Sequence, residues 1–153
     1  MSAPAPHPLR FVIVRLAGRD FAIPAACICG MMLLKTASLR QQHPRGPLRF
    51  LLELESRSIP VLTPHTLLGL EERPPSARSC LLLVRDSARP AAPPPAGAAF
   101  ALAVDSVSRL EDIPPSLYRA PGRIRLGGAW RSVIDPDQLY RAASAHPARL
   151  VTK

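Results

Sequence analysis

Residues 100–113 read FALAVDSVSRLEDI. The stretch opens as a short apolar run, turns polar at Asp105-Ser106, and returns through Val107 and Leu110 to an acidic stop. A compact β domain writes this where one strand ends in a tight corner and the next begins. Strands are therefore expected over residues 100–104 and 107–110, with Asp105 at the corner, its side chain accepting backbone N–H groups.

The neighbouring sequence repeats the theme. Residues 11–16 are rich in β-branched side chains, residues 17–20 supply a turn, and residues 21–23 return as the second strand of a hairpin. Pro24 ends that strand and opens a short turn. Residues 28–34 are apolar and fit either a strand or a helix, and residues 35–47 read as a loop. Residues 48–54 alternate late, the mark of a half-exposed strand. Residues 59–62 and 80–84 are further strands. Thr63-Pro64 reads as a helix start, with the helix stopping at Gly69. Residues 88–98 form a Pro/Ala-rich loop, residues 112–128 a Pro/Gly-rich loop with one turn, and residues 130–134 the last strand. Asp135-Pro136-Asp137 caps a helix running to Ala143. The sum is about nine strands and two short helices, a mostly-β single domain over residues 9–145, with tails at 1–8 and 146–153.

Composition agrees. Apolar residues make up 47% of the 153 but aromatics only 5%, so the core is aliphatic. Nineteen prolines exclude long helices over most of the chain. The net charge of +9 comes from eighteen Arg against two Lys, dispersed without a basic run, and reads as a solvated positive surface. Cys27, Cys29 and Cys80 are too few for a disulfide framework, and Cys27-x-Cys29 lacks the second pair a zinc site needs. With no secretory signal in MSAPAPHPLR and no apolar run of about 18 residues, the expectation is a soluble cytoplasmic protein.

Three segments, in this order, resemble the CheW-like domain family. The first is residues 11–32, an apolar strand, a turn and the segment around Ile28. The second is Ile59-Pro60-Val61-Leu62 followed by a helix and Leu68-Gly69-Leu70. The third is residues 100–113, with its Val-Asp-x-Val corner, followed by Val133-Ile134-Asp135 and a helix at Gln138-Leu139-Tyr140. The resemblance implies two five-stranded SH3-like β-barrel halves sharing a hydrophobic core, with short helices. It implies no catalysis and no cofactor. It also implies a scaffold that couples a chemoreceptor cytoplasmic tip to the regulatory domain of a chemotaxis-type histidine kinase, through the groove between halves and the barrel edges. The chain departs from the family pattern where Asn-Leu-Arg-Gly becomes Glu53, Leu54, Glu55 and Ser56, and where a Gly becomes Phe50. The acidic position beside the receptor-contact strand falls on Gly30, the corner Gly becomes Ser106, and an earlier Gly becomes Ala101. Reversal of the Arg charge describes a divergent, accessory member.

The candidate partner-binding residues are accordingly Ile28, Gly30, Met31, Met32, Glu53, Glu55, Ser56, Asp105 and Ser106. Four have a structural alternative: core packing for Ile28, Met31 and Met32, and turn stabilisation for Asp105. Glu53 and Glu55, two apart on a strand, share a face and suggest an exposed acidic edge. The sequence holds no nucleophile motif, phosphate loop or His pair at metal-ligand spacing. An enzyme with a small-molecule substrate is not expected, nor is membrane insertion. The alternative is a basic nucleic-acid binder, in which Arg119, Arg123, Arg125 and Arg131 cluster around Tyr118 and Trp130.

Overall fold

The computed structural model describes residues 9–55, 57–86, 88, 97–119 and 122–145. The tails at 1–8 and 146–153, the candidate Ser56, and most of the Pro/Ala-rich loop lie outside the described residues. The strands run β1 (Leu9–Leu16), β2 (Arg19–Pro24), β3 (Ile28–Leu33), β4 (Leu39–Gln41), β5 (Phe50–Glu53) and β6 (Ser58–Leu62). They continue as β7 (Cys80–Arg85), β8 (Ala98–Val104), β9 (Ser106–Ile113), β10 (Tyr118–Arg119), β11 (Arg123–Leu126) and β12 (Ala129–Ser132), before helix α1 (Pro136–Ala145).

Two halves follow from the pairing. One holds the sheet β2-β1-β9 and the small sheet β10-β11-β12, and the other a six-stranded sheet in the order β3-β7-β8-β6-β5-β4. The chain crosses from the second half to the first at Asp105, between β8 and β9. All pairings are antiparallel except β6 with β8, where Val61 pairs Ala101, and the lone Ala22–Val133 bridge.

The continuous apolar runs are explained by burial on both faces. Along β1, Phe11 and Ile13 point into the interior of the first half, with Ala22, Ile113, Ile124 and Leu126. The alternate residues Val12, Val14 and Leu16 point the other way, into a seam between the halves. The second half mirrors this: Leu81 and Leu83 of β7 face its own interior with Leu52, Ile59 and Val61. Cys80, Leu82 and Val84, with Phe100, Leu102 and Val104 of β8, complete the seam. The small Ala101 sits opposite Val61 in the second interior. Three cores built from period-two alternation therefore hold the molecule together.

The β1–β2 hairpin closes through Ala17 (φ 51°) and Gly18 (φ 77°), the paired left-handed residues of a two-residue hairpin turn. At the other end of the chain, Asp135 Oδ1 accepts the N–H groups of Asp137 (3.1 Å) and Gln138 (3.3 Å), capping α1 as expected. The helix seats Tyr140 on Phe100, ring centroids 4.5 Å apart, and closes the seam.

One open reading is settled and three local expectations change. The 28–34 segment is strand β3, because β7 offers it an apolar partner in register. The helix expected after Pro64 is a single 3-10 turn, Thr66–Leu68, since Gly69 (φ 71°) ends it before an α-helical turn can repeat. The loops expected over 35–47 and 112–128 contain β4 and, in the second, β10 and β11. β4 and β10 are very short edge strands, and central β11 alternates exposed arginine with buried apolar residues over only four positions, which hides the strand pattern. Twelve strands are present among the described residues rather than about nine.

Candidate docking site at the β3 edge

Strand β3 lies at the end of the six-stranded sheet, paired with β7 on one side only. Among the described residues no strand covers its outer edge. An exposed edge of this kind offers unpaired backbone groups to a partner. Its side chains divide by face. Met32 lies opposite Leu81 and packs into the second-half interior, and Ile28 packs against the seam. Met31 lies opposite Leu82 and Leu33 opposite Cys80, both on the seam side of the sheet. There they run past the seam and stand 52% and 39% exposed. The apolar face that joins the two halves is thus continued into solvent by two adaptable side chains.

The edge is shaped by its glycine. The pairing slips between Ile28 and Gly30, a β-bulge. A Cβ on Gly30 would stand 3.2 Å from Leu83 Cδ1, a tight contact in which the end of the leucine side chain must shift by a few tenths of an ångström. Leu33 did not figure among the sequence candidates. Its spacing two residues from Met31 is the signal that finds it.

The other candidates fall elsewhere. Glu53 ends β5, which β7, β8 and β6 separate from β3 in the strand order. It is not on an acidic edge: β5 is an interior strand, and β4 is the edge. The Glu53 carboxylate accepts hydrogen bonds from Ser58 Oγ and from Arg40 Nε (2.6 Å), which together hold it below the usual carboxylate range. Glu53, at the family's Asn position, thus has an internal partner in Arg40, whereas the reversed charge is that of Glu55. Glu55 is exposed beyond the end of β5.

Asp105 takes the corner role. Its Oδ2 accepts the Ala17 N–H at 2.7 Å, its Oδ1 lies 3.0 Å from His65 Nε2, and its own N–H donates to Arg15 O at 3.0 Å. Ser106 opens β9 opposite Arg15. His65 is only 4% exposed, and its Nδ1 has no hydrogen-bond partner. Nothing in the sequence tied it to Asp105, because the two stand 40 residues apart.

Burial raises the pKa of Cys27, Cys29 and Cys80, which keeps them protonated at neutral pH. Among the described residues no group of three or more His, Cys, Asp or Glu is placed to hold a metal ion. A shallow cleft of about 660 Å³ between β12, α1 and β11 is lined by Pro24, Cys27, Arg123, Ser132 and Asp135, among others. No helix among the described residues is long and apolar enough to cross a membrane.

The geometry agrees with comparisons to known proteins. Comparison with curated protein sequences finds no match. Among solved structures, the chain is similar to the scaffolding protein TtCheW from Thermoanaerobacter tengcongensis, with a TM-score of 0.68 at 17% identity. The similarity covers 84% of this chain and 89% of that one, and it shows a shared fold. The sequence model of the CheW-like domain matches residues 10–142. With nearly all of its described strands inside that match, this chain belongs to the CheW-like domain family.

Proposed function

We propose that this chain is a non-enzymatic cytoplasmic adaptor of chemotaxis-type signal transduction, an accessory form of the receptor–kinase coupler. Its working unit is the single domain over residues 9–145. It docks the CheW-like regulatory domain of a chemotaxis-type histidine kinase through the β3 edge and presents the complex to a chemoreceptor tip. The supporting observation is the uncovered β3 edge, where Met31 and Leu33 extend the apolar seam into solvent. Of the sequence candidates, Ile28, Gly30, Met31 and Met32 form and shape this surface, while Asp105 and Ser106 hold the two halves that border it. Glu53 and Glu55 stand apart from it and would contribute only to a second contact.

The test is calorimetric titration of the folded chain with the isolated regulatory domain of the kinase encoded nearest to it. Micromolar binding is expected, since an interface of modest area with a few apolar anchors falls in that range. No heat of binding, with the circular dichroism of a folded β protein, would reject kinase docking.

A further inference from the structure

The small sheet β10-β11-β12 carries a second surface, of different chemistry. Ile124 and Leu126 of β11 are buried in the first-half interior, so the alternating Arg123 and Arg125 face outward. The register sets Arg119 of β10 opposite Arg123, and Trp130 of β12 opposite Arg125. Three exposed guanidiniums therefore share one face with an indole. The guanidinium carbons of Arg119 and Arg125 lie 4.5 Å and 5.7 Å from the Trp130 ring centroid. Arg10, Arg15, Arg40, Arg49 and Arg109 each pair with a carboxylate. Among the described residues no carboxylate pairs with Arg119, Arg123 or Arg125. Like charges directly opposite one another on a sheet repel. The indole offsets part of that cost and holds two forks in place with their N–H donors uncommitted.

We propose that this face docks an acidic segment of a partner protein, with carboxylates seated on Arg119, Arg123 and Arg125. Arg123 and Arg125 stand about 6.6 Å apart along β11. That is close to the roughly 6 Å between residues one helical turn apart, so a Glu-rich helix presents carboxylates at matching intervals. Nucleic acid fits less well, because base stacking needs free aromatic faces. Here Trp130 is covered by arginine, and Tyr118 lies against Phe11 at 6.5 Å. Arg131, opposite Ile124, is on the other face of the sheet.

The experiment is fluorescence anisotropy of the full chain with two labelled probes at low salt: a helical peptide with Glu at every fourth position, and a thymidine oligonucleotide. R123E/R125E is compared with R45E/R78E, exposed positions elsewhere; either pair takes the net charge from +9 to +5. Peptide affinity is expected to fall about tenfold or more in R123E/R125E and less than about twofold in R45E/R78E. It should weaken with salt as the screening length shortens. R123Q/R125Q, which removes the two charges without reversing them, guards against a folding defect and should also lose affinity. Equal losses in both charge-reversed pairs would overturn the proposal, leaving only net charge. So would absence of peptide binding, or an oligonucleotide affinity that depends more on Arg123 and Arg125 than the peptide's does. M31K should leave peptide binding unchanged, so this result stands apart from the fate of the β3 edge.

Discussion

The carboxylate of Asp105 accepts the backbone N–H of Ala17 at 2.7 Å, across 88 residues of chain. Ala17 holds a left-handed φ of 51°, which costs a non-glycine residue about 1–2 kcal/mol. The hydrogen bond fixes that strained turn of the first half to the corner where the chain leaves the second. The other oxygen faces buried His65, so one side chain ties together three segments that border the seam. Asp105→Ala leaves the Ala17 N–H and the His65 ring without partners and is expected to cost about 2–3 kcal/mol. Asp105→Asn, which keeps an acceptor, should cost less. Urea unfolding followed by circular dichroism reads both.

Phe100 is fully buried in the seam and stacks on Tyr140 of α1. Phe100→Ala should destabilise the protein by about 3–5 kcal/mol, because it removes seam packing and the platform for the helix together. Tyr140→Ala should cost less and should raise hydrogen exchange in α1 before the strands. Exchange that rises uniformly would contradict this order.

Two carboxylates titrate low in the folded protein. Glu53 does so through Ser58 and Arg40, and Asp112 through Arg10 at 2.9 Å. The folded state thus binds fewer protons than the unfolded state around the usual carboxylate range. Their contribution is complete above about pH 5 and is lost as the pH falls through about 4 and below. The urea midpoint should therefore fall over that interval, and more gently in R40Q and in R10Q than in the wild type. Parallel pH profiles would show that neither pair matters to folding.

M31K/L33K should leave unfolding within about 0.5 kcal/mol of wild type, because both side chains are exposed. The same change should weaken binding to the kinase regulatory domain by about tenfold or more, since it sets two charges in an apolar contact. Unchanged affinity in calorimetry would remove β3 from the interface.

How much of this was legible in the sequence depended on where side chains point. Strands buried on both faces, such as β7 and β8, announce themselves as apolar runs. So does the Asp105 corner, because a carboxylate between two such runs has turn backbone to satisfy. Strand β11 did not, because Gly122, Gly127 and Gly128 frame a four-residue strand whose outer half is arginine. That is why the basic cluster looked like a loop and why its division between two faces was hidden. The β3 site was half legible: Met31 and Met32 stand together in sequence, but only the pairing with β7 shows that one is core and the other surface. Glu53 misled, since its partners Arg40 and Ser58 come from neighbouring strands.

Hydrogen exchange of the chain, alone and bound to the kinase regulatory domain, tests the docking surface most directly. Protection gained over Ile28–Leu33, with the β4 edge unchanged, is the predicted result. Protection confined to β4 or to β10–β12, with β3 exchanging as fast as in the free chain, would contradict it.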